Sequence, residues 1–533
     1  MRAINIIRKE LKNNILSFLV FLTLGLITSA STVIIPRITG LFVDSLIGNI
    51  NLQILIRYCM LFGCITLLSI VTGYFNNRLY VKLKTTIVFD FKKFIIEQFR
   101  RSDIIEIKNL SIPETVQMSD RDLEFIISNI LTVMQSAIIN MLLVVASIFI
   151  LLKINIYVAI LLLIVTVAYV ILFFSFKGII VKINRQFLAD QTKYFKKYFE
   201  QFRDIEFVKN NVLNKVYDKY LDVSYKKFFS TSLEMQKINY SFNSIDKFCM
   251  TISQIILFFI GGREVINSSI TVGEFTILST YFSLALTSIR YFLNLGKLKK
   301  EVEVSIDRVD RIINLKKDFD GDIRLSSIEN LEVNLSQEPI FKESRISCES
   351  IKFIKGKMYT ITGSNGSGKT TLMNILSGLY RNTGVKFYIN NISAEDINME
   401  FNRKYRFAIL EQFPKLVEGT IEENILLGVD VNTLKNNDID YLTRIFKLNR
   451  LYKNNIDSEF INLSGGEIKK ISIVRTLLKE SDVLLMDEPT VSLDAESKKL
   501  LIDYLVKLKK DKIVIITSHD EDLISNSDYV LNI

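Results

Sequence analysis

Nine consecutive residues in the second half of the chain have the composition of a phosphate cradle: Gly363, Ser364, Asn365, Gly366, Ser367, Gly368, Lys369, Thr370 and Thr371. Glycines let a backbone close around phosphate oxygens, and a helix that begins there aims its N-terminal amides at the anion. Residues 358–362 read as a strand leading in, and 372–379 as a helix leading out. In that setting Lys369 reaches the β- and γ-phosphates of a nucleotide, and the Thr370 hydroxyl ligates magnesium. A second chemical group is Asp487 and Glu488, directly after the apolar run 483–486. An entirely apolar run suits a central parallel strand, and carboxylates at its C-terminal end sit where open α/β sheets bind ligand. Asp487 is the expected magnesium-shell carboxylate. Glu488 is placed to polarise an attacking water as general base.

The elements that must position these groups follow from texture. After about residue 315, short β-branched runs alternate with helical stretches, the pattern of an α/β domain with a mostly parallel sheet. The first half differs. Six apolar runs, at 15–36, 58–74, 130–152, 156–176, 244–260 and 275–295, approach the length of about 20 residues that crosses a bilayer. Lys and Arg cluster before the first run (Arg2, Arg8, Lys9, Lys12) and after the second, fourth and sixth, while the opposite connections are short and nearly neutral. That asymmetry predicts cytosolic termini. Ser29, Ala30 and Ser31 resemble a signal-cleavage site, but the apolar run continues past them to Ile35, so an uncleaved first span is expected.

Two connections, 76–126 and 177–246, are too long for turns, and Phe91, Phe94, Ile95 and Phe99 recur in the first at helical spacing. The spanning helices are therefore expected to continue into the cytosol. Gln135, Asn140, Gln254 and Arg290 lie within the spans and are candidates to line a polar cavity. Arg57 and Arg290 have the alternative of snorkelling to an interface.

Composition excludes other classes. The 67 basic and 57 acidic side chains give a net charge of +10, dispersed between apolar runs rather than gathered in one stripe, so no nucleic-acid partner is expected. A single histidine and four scattered cysteines leave no framework for structural zinc or disulfides.

Leu463, Ser464, Gly465, Gly466 and Glu467 precede the acidic strand. With the phosphate loop and Asp487-Glu488, this segment resembles the signature of ABC transporter nucleotide-binding domains, over about residues 330–533. The resemblance implies ATP and Mg2+ as cofactors and a head-to-tail pair of domains. The segment Ser464, Gly465, Gly466 and Glu467 of one chain would then meet the γ-phosphate held by the loop of the other. It further implies that Gln412 approaches the magnesium and the water, that Asp494 in Ser492-Leu493-Asp494 passes information between sites, and that His519, the only histidine, contacts the γ-phosphate. Three features depart from the family. Residues 331–336 offer no aromatic for adenine, with Phe341 an imperfect substitute; Glu467 stands where exporters commonly carry Gln; and the family's terminal helices have little room after His519.

Six spans before one such domain resemble an exporter-type half-transporter, with 104–116 and 201–215 as candidate coupling helices. The expected fold class is a multi-domain membrane protein. An all-α six-helix transmembrane domain (1–315) and a linker (316–328) precede an α/β P-loop ABC ATPase domain (329–533). The implied function is ATP-hydrolysis-driven export of a peptide, lipid or drug-like substrate across the cytoplasmic membrane. The implied partners are the lipid bilayer and a second half-transporter, a homodimer before a heterodimer. An importer of the same fold and an ATP-gated sensor or resistance component are the alternatives.

Overall fold

Helical periodicity in the first 314 positions becomes a set of long helices, and the β-branched runs after them become sheets. The computed structural model describes residues 2–47, 52–110, 112–318, 321–334, 350–381, 385–430, 436–448, 455–456 and 463–533. Two units emerge: residues 1–100 with 110–314, and residues 101–109 with 315–533.

In chain order the helices are α1 (Arg2–Asn13), α2 (Ile15–Ile47), α3 (Leu52–Arg100), α4 (Ile104–Lys108), α5 (Ile112–Ile154), α6 (Ile156–Arg203), α7 (Ile205–Asn211), α8 (Asn214–Ile266) and α9 (Val272–Ile313). All but α4 belong to the first unit. Among the described residues six helices, in α2, α3, α5, α6, α8 and α9, are long and apolar enough to cross a membrane. At about 1.5 Å per residue, α3 is roughly 73 Å long, more than twice the ~30 Å hydrocarbon thickness. The surplus forms the extension expected from the helical spacing of 76–126. There Phe91 and Ile95 are buried with Ala3 and Ile7 of α1 and Val309 and Ile312 of α9, and Phe94 and Phe99 pack on the same cluster. The turns are tight and capped. Asn155 alone separates α5 from α6, its side chain accepting from Tyr157 N at 2.9 Å. Asp44 on α2 accepts from Thr271 Oγ1 and Gly273 N, both at 2.7 Å, so the start of α9 is fastened to α2.

Three of the expected cavity-lining residues make hydrogen bonds within the membrane unit. Gln135 donates to Phe21 O at 2.8 Å and to Asn76 Oδ1 at 3.0 Å. It lies against Gly25, where a Cβ would stand 2.1 Å from its Nε2. Asn140 donates to Ser136 O at 2.8 Å on its own helix, and Gln254 reaches Ser283 Oγ at 3.5 Å. Polar groups at membrane depth have no water to bond, so they satisfy one another. Arg290 pairs with Asp246 of α8, which is only 5% exposed. Both charges border a cavity of about 390 Å³ between α6, α8 and α9. Arg57 stands in the second turn of α3.

The second unit contains a five-stranded parallel sheet and a four-stranded antiparallel one. Its strands are β1 (Asn330–Asn334), β2 (Ser350–Ile354), β3 (Met358–Thr362), β4 (Lys386–Ile389), β5 (Ile392–Ser393), β6 (Phe407–Leu410), β7 (Gly419–Thr420), β8 (Asn455–Ile456), β9 (Val483–Asp487), β10 (Ile513–Thr517) and β11 (Tyr529–Asn532). The parallel order is β11-β3-β10-β9-β6 and the antiparallel order β2-β1-β4-β5. Both faces of the central strands β9 and β10 are covered, which is why their runs 483–486 and 513–516 are apolar. Val483, Leu485, Ile513 and Ile515 enter one core, and Leu484, Met486, Val514 and Ile516 the other.

Helices α10 (Lys369–Leu376), α11 (Met399–Tyr405), α12 (Ile421–Leu426), α13 (Asn436–Ile445), α14 (Gly465–Leu478), α15 (Ala495–Leu508) and α16 (Glu521–Asn526) complete the unit. Helix α10 begins earlier and ends earlier than the run 372–379. Ser377 closes it and Gly378 turns out at φ +67°, which glycine adopts without strain.

Residues 101–109 depart from the expected division at residue 315, because they cluster with the ATPase-like unit. Within the first coupling candidate, 104–116, the part that joins this unit is the short helix α4. Asp103 caps it by accepting from Ile105 N at 2.9 Å, and Asp103 N donates to Lys316 O at 2.8 Å. Lys316 N donates in turn to Glu106 Oε2 at 2.8 Å. Ile104 and Ile105 pack on the β-sheet core, and Lys108 Nζ meets the Tyr380 hydroxyl. Within the expected linker 316–328, Leu325 and Ile328 are buried in that core. In the second candidate, 201–215, the chain turns through α7, whose Phe207 is exposed and Val208 buried.

Candidate functional site

The phosphate loop leaves β3 and enters α10 through three glycines with φ of +153° (Gly363), +85° (Gly366) and +103° (Gly368), a region side chains avoid. Gly363 also has no room for a Cβ, which would lie 2.1 Å from Ile533 O. The last residues, in β11 and Ile533, are stitched beside the loop, with Ile533 N donating to Thr362 O at 2.9 Å. Ser364, Asn365 and Gly366 are exposed at the tip, and Thr371 is half-buried in the first turn of α10. Lys369 Nζ donates to Gly363 O at 2.7 Å and Ser364 O at 3.0 Å, which holds the ammonium over the loop. Ser367 Oγ is buried without a protein partner, as expected of a group kept for a ligand oxygen.

Adjacent strand ends supply the acids. Asp487 closes β9, and its Oδ2 accepts from Thr370 Oγ1 at 2.8 Å. Two of the three expected magnesium ligands thus touch across the site. This fits an ion that takes one or two protein oxygens and completes its shell with phosphate and water. No group of three or more His, Cys, Asp and Glu side chains able to hold a metal occurs among the described residues. Asp487 Oδ1 accepts from Thr517 Oγ1 at the end of β10. Glu488 N donates to both Thr517 O and Thr517 Oγ1 at 3.1 Å, and Glu488 takes a left-handed φ of +47°. Burial pushes the Glu488 carboxyl up from its ordinary value, against the pull of His519, Lys369 and Lys469. His519 Nε2 stands 3.9 Å from Glu488 Oε1, with its ring 55% exposed.

Other expected residues stand apart. Gln412 has an exposed side chain, and only its carbonyl joins the network. Ser464 caps α14, donating from N and from Oγ to Glu467 Oε2, each at 2.7 Å, while Glu467 N donates back to Ser464 Oγ at 3.3 Å. The hydrogen bonds from Ser464 hold the Glu467 carboxyl below its usual value. Ser464 and Gly465 are exposed, and among the described residues no hydrogen bond ties this segment to the phosphate loop of the same chain. Gly466 packs on the turn before α15, where a Cβ would lie 2.9 Å from Ser492 O. Asp494 caps α15, accepting from Ser497 N at 2.9 Å, and pairs with Lys470 at 2.5 Å, which holds its carboxyl far below the usual range. Leu331 and Val333 of β1 are core residues, and Phe341 lies outside the described residues.

Residues 349–491 match the family model "ABC transporter", and residues 18–289 match "ABC transporter transmembrane region". The chain belongs to the ABC transporter family. The fold is like that of a bacterial Atm1-family ABC exporter with ATP bound, at a TM-score of 0.83 over 98% of this chain and 93% of that one, with 14% identity. The nisin transport ATP-binding protein NisT of Lactococcus lactis subsp. lactis is 27% identical over 85% of this chain and 77% of its own length. The ATP-dependent permease MDL1 of Candida albicans is 26% identical over 57% of this chain, which spans 47% of that relative. A putative multidrug export ATP-binding/permease protein of Staphylococcus aureus is 25% identical over 68% of this chain and 64% of its own length. This ABC transporter joins one membrane domain to one ATPase domain, the half-transporter arrangement of exporters.

Sequence reasoning missed two residues of this site. Thr517 carries no motif of its own, yet it holds both acids. Lys469, in α14, donates from Nζ to Glu411 O at 3.3 Å, and to Gln412 O and Asp487 O at 3.2 Å. Burial pulls its ammonium below the usual value, opposed by Asp487 and Glu488. Nothing in its spacing marks it.

Proposed function

We propose that two copies of this chain form an ATP-driven peptide exporter in the cytoplasmic membrane, with both termini cytosolic. The observation that carries the reading is the division of the site. The phosphate loop, Asp487, Glu488 and His519 are gathered at one place, while among the described residues the exposed Ser464 side chain bonds to Glu467 of its own segment. A triphosphate sandwiched between the loop of one chain and the Ser464 segment of its partner completes both. Bound magnesium supplies charge neutralisation at the β- and γ-phosphates, with Thr370 and Asp487 holding it. Glu488, assisted by His519, takes the proton of the attacking water. ATP favours the closed pair only through the contacts that state adds, and hydrolysis removes them.

Peptide cargo is favoured over lipid by the similarity to NisT and by the cavity beside Asp246 and Arg290. Asn239, Asn243 and Asn294 line it beside Tyr169, offering donors and acceptors to peptide amides.

The test is Glu488→Gln in the full chain. ATP binding persists while turnover falls about 10²–10⁴-fold. In a cysteine-free background, Asn365→Cys with Ser464→Cys cross-links two chains only with ATP present. Parent-level hydrolysis in the first variant, or cross-linking indifferent to ATP in the second, ends the proposal.

A further inference from the structure

We infer that Lys469 is a positioning residue for ATP hydrolysis, a buried clamp that holds the backbone of Gln412 and the Asp487–Glu488 peptide in place from the signature helix. The inference rests on the reading of Glu488 as the water-activating carboxylate. Lys469 is 5% exposed, and its ammonium has three protons for three carbonyls: Glu411 O at 3.3 Å, Gln412 O at 3.2 Å and Asp487 O at 3.2 Å. Donors and acceptors match one to one, with no carboxylate oxygen among the partners.

The position of those carbonyls gives the clamp its function. Asp487 O belongs to the same peptide unit as Glu488 N, and that N–H is held from the other side by Thr517 O and Thr517 Oγ1, both at 3.1 Å. The unit is gripped at both ends, which keeps Glu488 at φ +47°, a conformation a residue with a Cβ abandons when unconstrained. Glu411 and Gln412 follow β6 directly, so the same ammonium fixes the segment that carries Gln412. All of this hangs from α14, whose N-terminus is the Ser464 cap. A displacement of that helix moves the Gln412 backbone and the Glu488 peptide together.

The experiment compares Lys469→Met and Lys469→Gln with the parent and with Glu488→Gln in full-length protein in nanodiscs. Lys469→Met keeps an unbranched side chain, one atom shorter, and removes its donors. Its kcat falls at least about tenfold while the half-saturating ATP concentration stays within about twofold, because the phosphate loop is untouched. Amide hydrogen exchange rises about tenfold or more in peptides covering 411–417 and 487–490, and stays at the parent rate across 363–371. Lys469→Gln retains two donors and gives an intermediate kcat. The inference is overturned if Lys469→Met keeps parent kcat while Glu488→Gln is inactive. It is equally overturned if exchange and nucleotide binding change across the whole domain, which marks a purely structural lysine. If Lys469→Met does not fold, Lys469→Gln decides by the same two readings. Activity retained in Glu488→Gln instead removes the underlying reading of the base.

Discussion

Glu467→Gln tests the shared site through one proton. The Ser464 hydroxyl carries a single hydrogen, and it is donated to Glu467 Oε2 at 2.7 Å. In the proposed dimer, a γ-phosphate arriving from the partner's loop must take that hydrogen, so Glu467 competes with it. The competition adds to a charge repulsion. Two hydrogen-bond lengths in series place the Glu467 carboxylate within about 5.5 Å of a phosphate oxygen bound to Ser464. At effective dielectric constants of about 20 to 80 this costs roughly 0.8–3 kcal/mol per site. Gln removes the charge and can donate its own amide hydrogen to Ser464 Oγ, freeing the hydroxyl for phosphate. The loss is about 0.5 kcal/mol of favourable interaction between an acidic side chain and the N-terminus of α14. The net gain of about 1 kcal/mol at each of two sites lowers the half-saturating ATP concentration for closure about three- to tenfold. The assay is an ATP titration of interchain cross-linking in the Glu488→Gln background. Half-saturation unchanged or raised by Glu467→Gln would refute the reasoning, because Ser464 and its carboxylate would then stand away from the phosphate.

Two further outcomes follow from buried charges. Burial lowers the Lys479 pKa from 10.5 to about 8, and its Nζ donates to Arg403 O at 2.7 Å. Between about pH 8 and 10.5 the unfolded chain binds a proton that the folded one does not, so stability rises with pH there and the burden is complete below pH 8. Lys479→Met removes at most about 3 kcal/mol of this and strands one carbonyl at about 1–2 kcal/mol, so the melting temperature at pH 7 rises about 2–4 °C. The gain vanishes by about pH 10.5 in differential scanning, and a gain independent of pH contradicts the argument. Asp246→Asn leaves Arg290 without its carboxylate and destabilises the membrane unit by about 2–4 kcal/mol, most of which Asp246→Asn with Arg290→Gln recovers. Thermal unfolding of the three proteins in nanodiscs checks this, and a double variant no more stable than the single one counts against the pair.

Local spacing alone determined much of this protein. Six apolar runs became six helices of sufficient length, and the strands Met358–Thr362 and Val483–Asp487 stand where the runs 358–362 and 483–486 placed them. These signals are local because helix and strand periodicity depend on neighbours a few residues apart. The glycines of the phosphate loop were legible for the same reason, since left-handed backbone is a local demand. What tertiary structure decided is which distant groups meet. Asp246 and Arg290 lie on different helices, and so do Gln135 and the Phe21 carbonyl it bonds to. Residues 101–109 join the ATPase unit because Asp103 and Glu106 bond to Lys316, a pairing more than 200 residues long in sequence. Lys469 points inward to three carbonyls whose convergence depends on the parallel register of β6 and β9. Side-chain periodicity identifies the buried face of an element, but the partner opposite that face is chosen by packing between elements, which no short stretch of chain encodes.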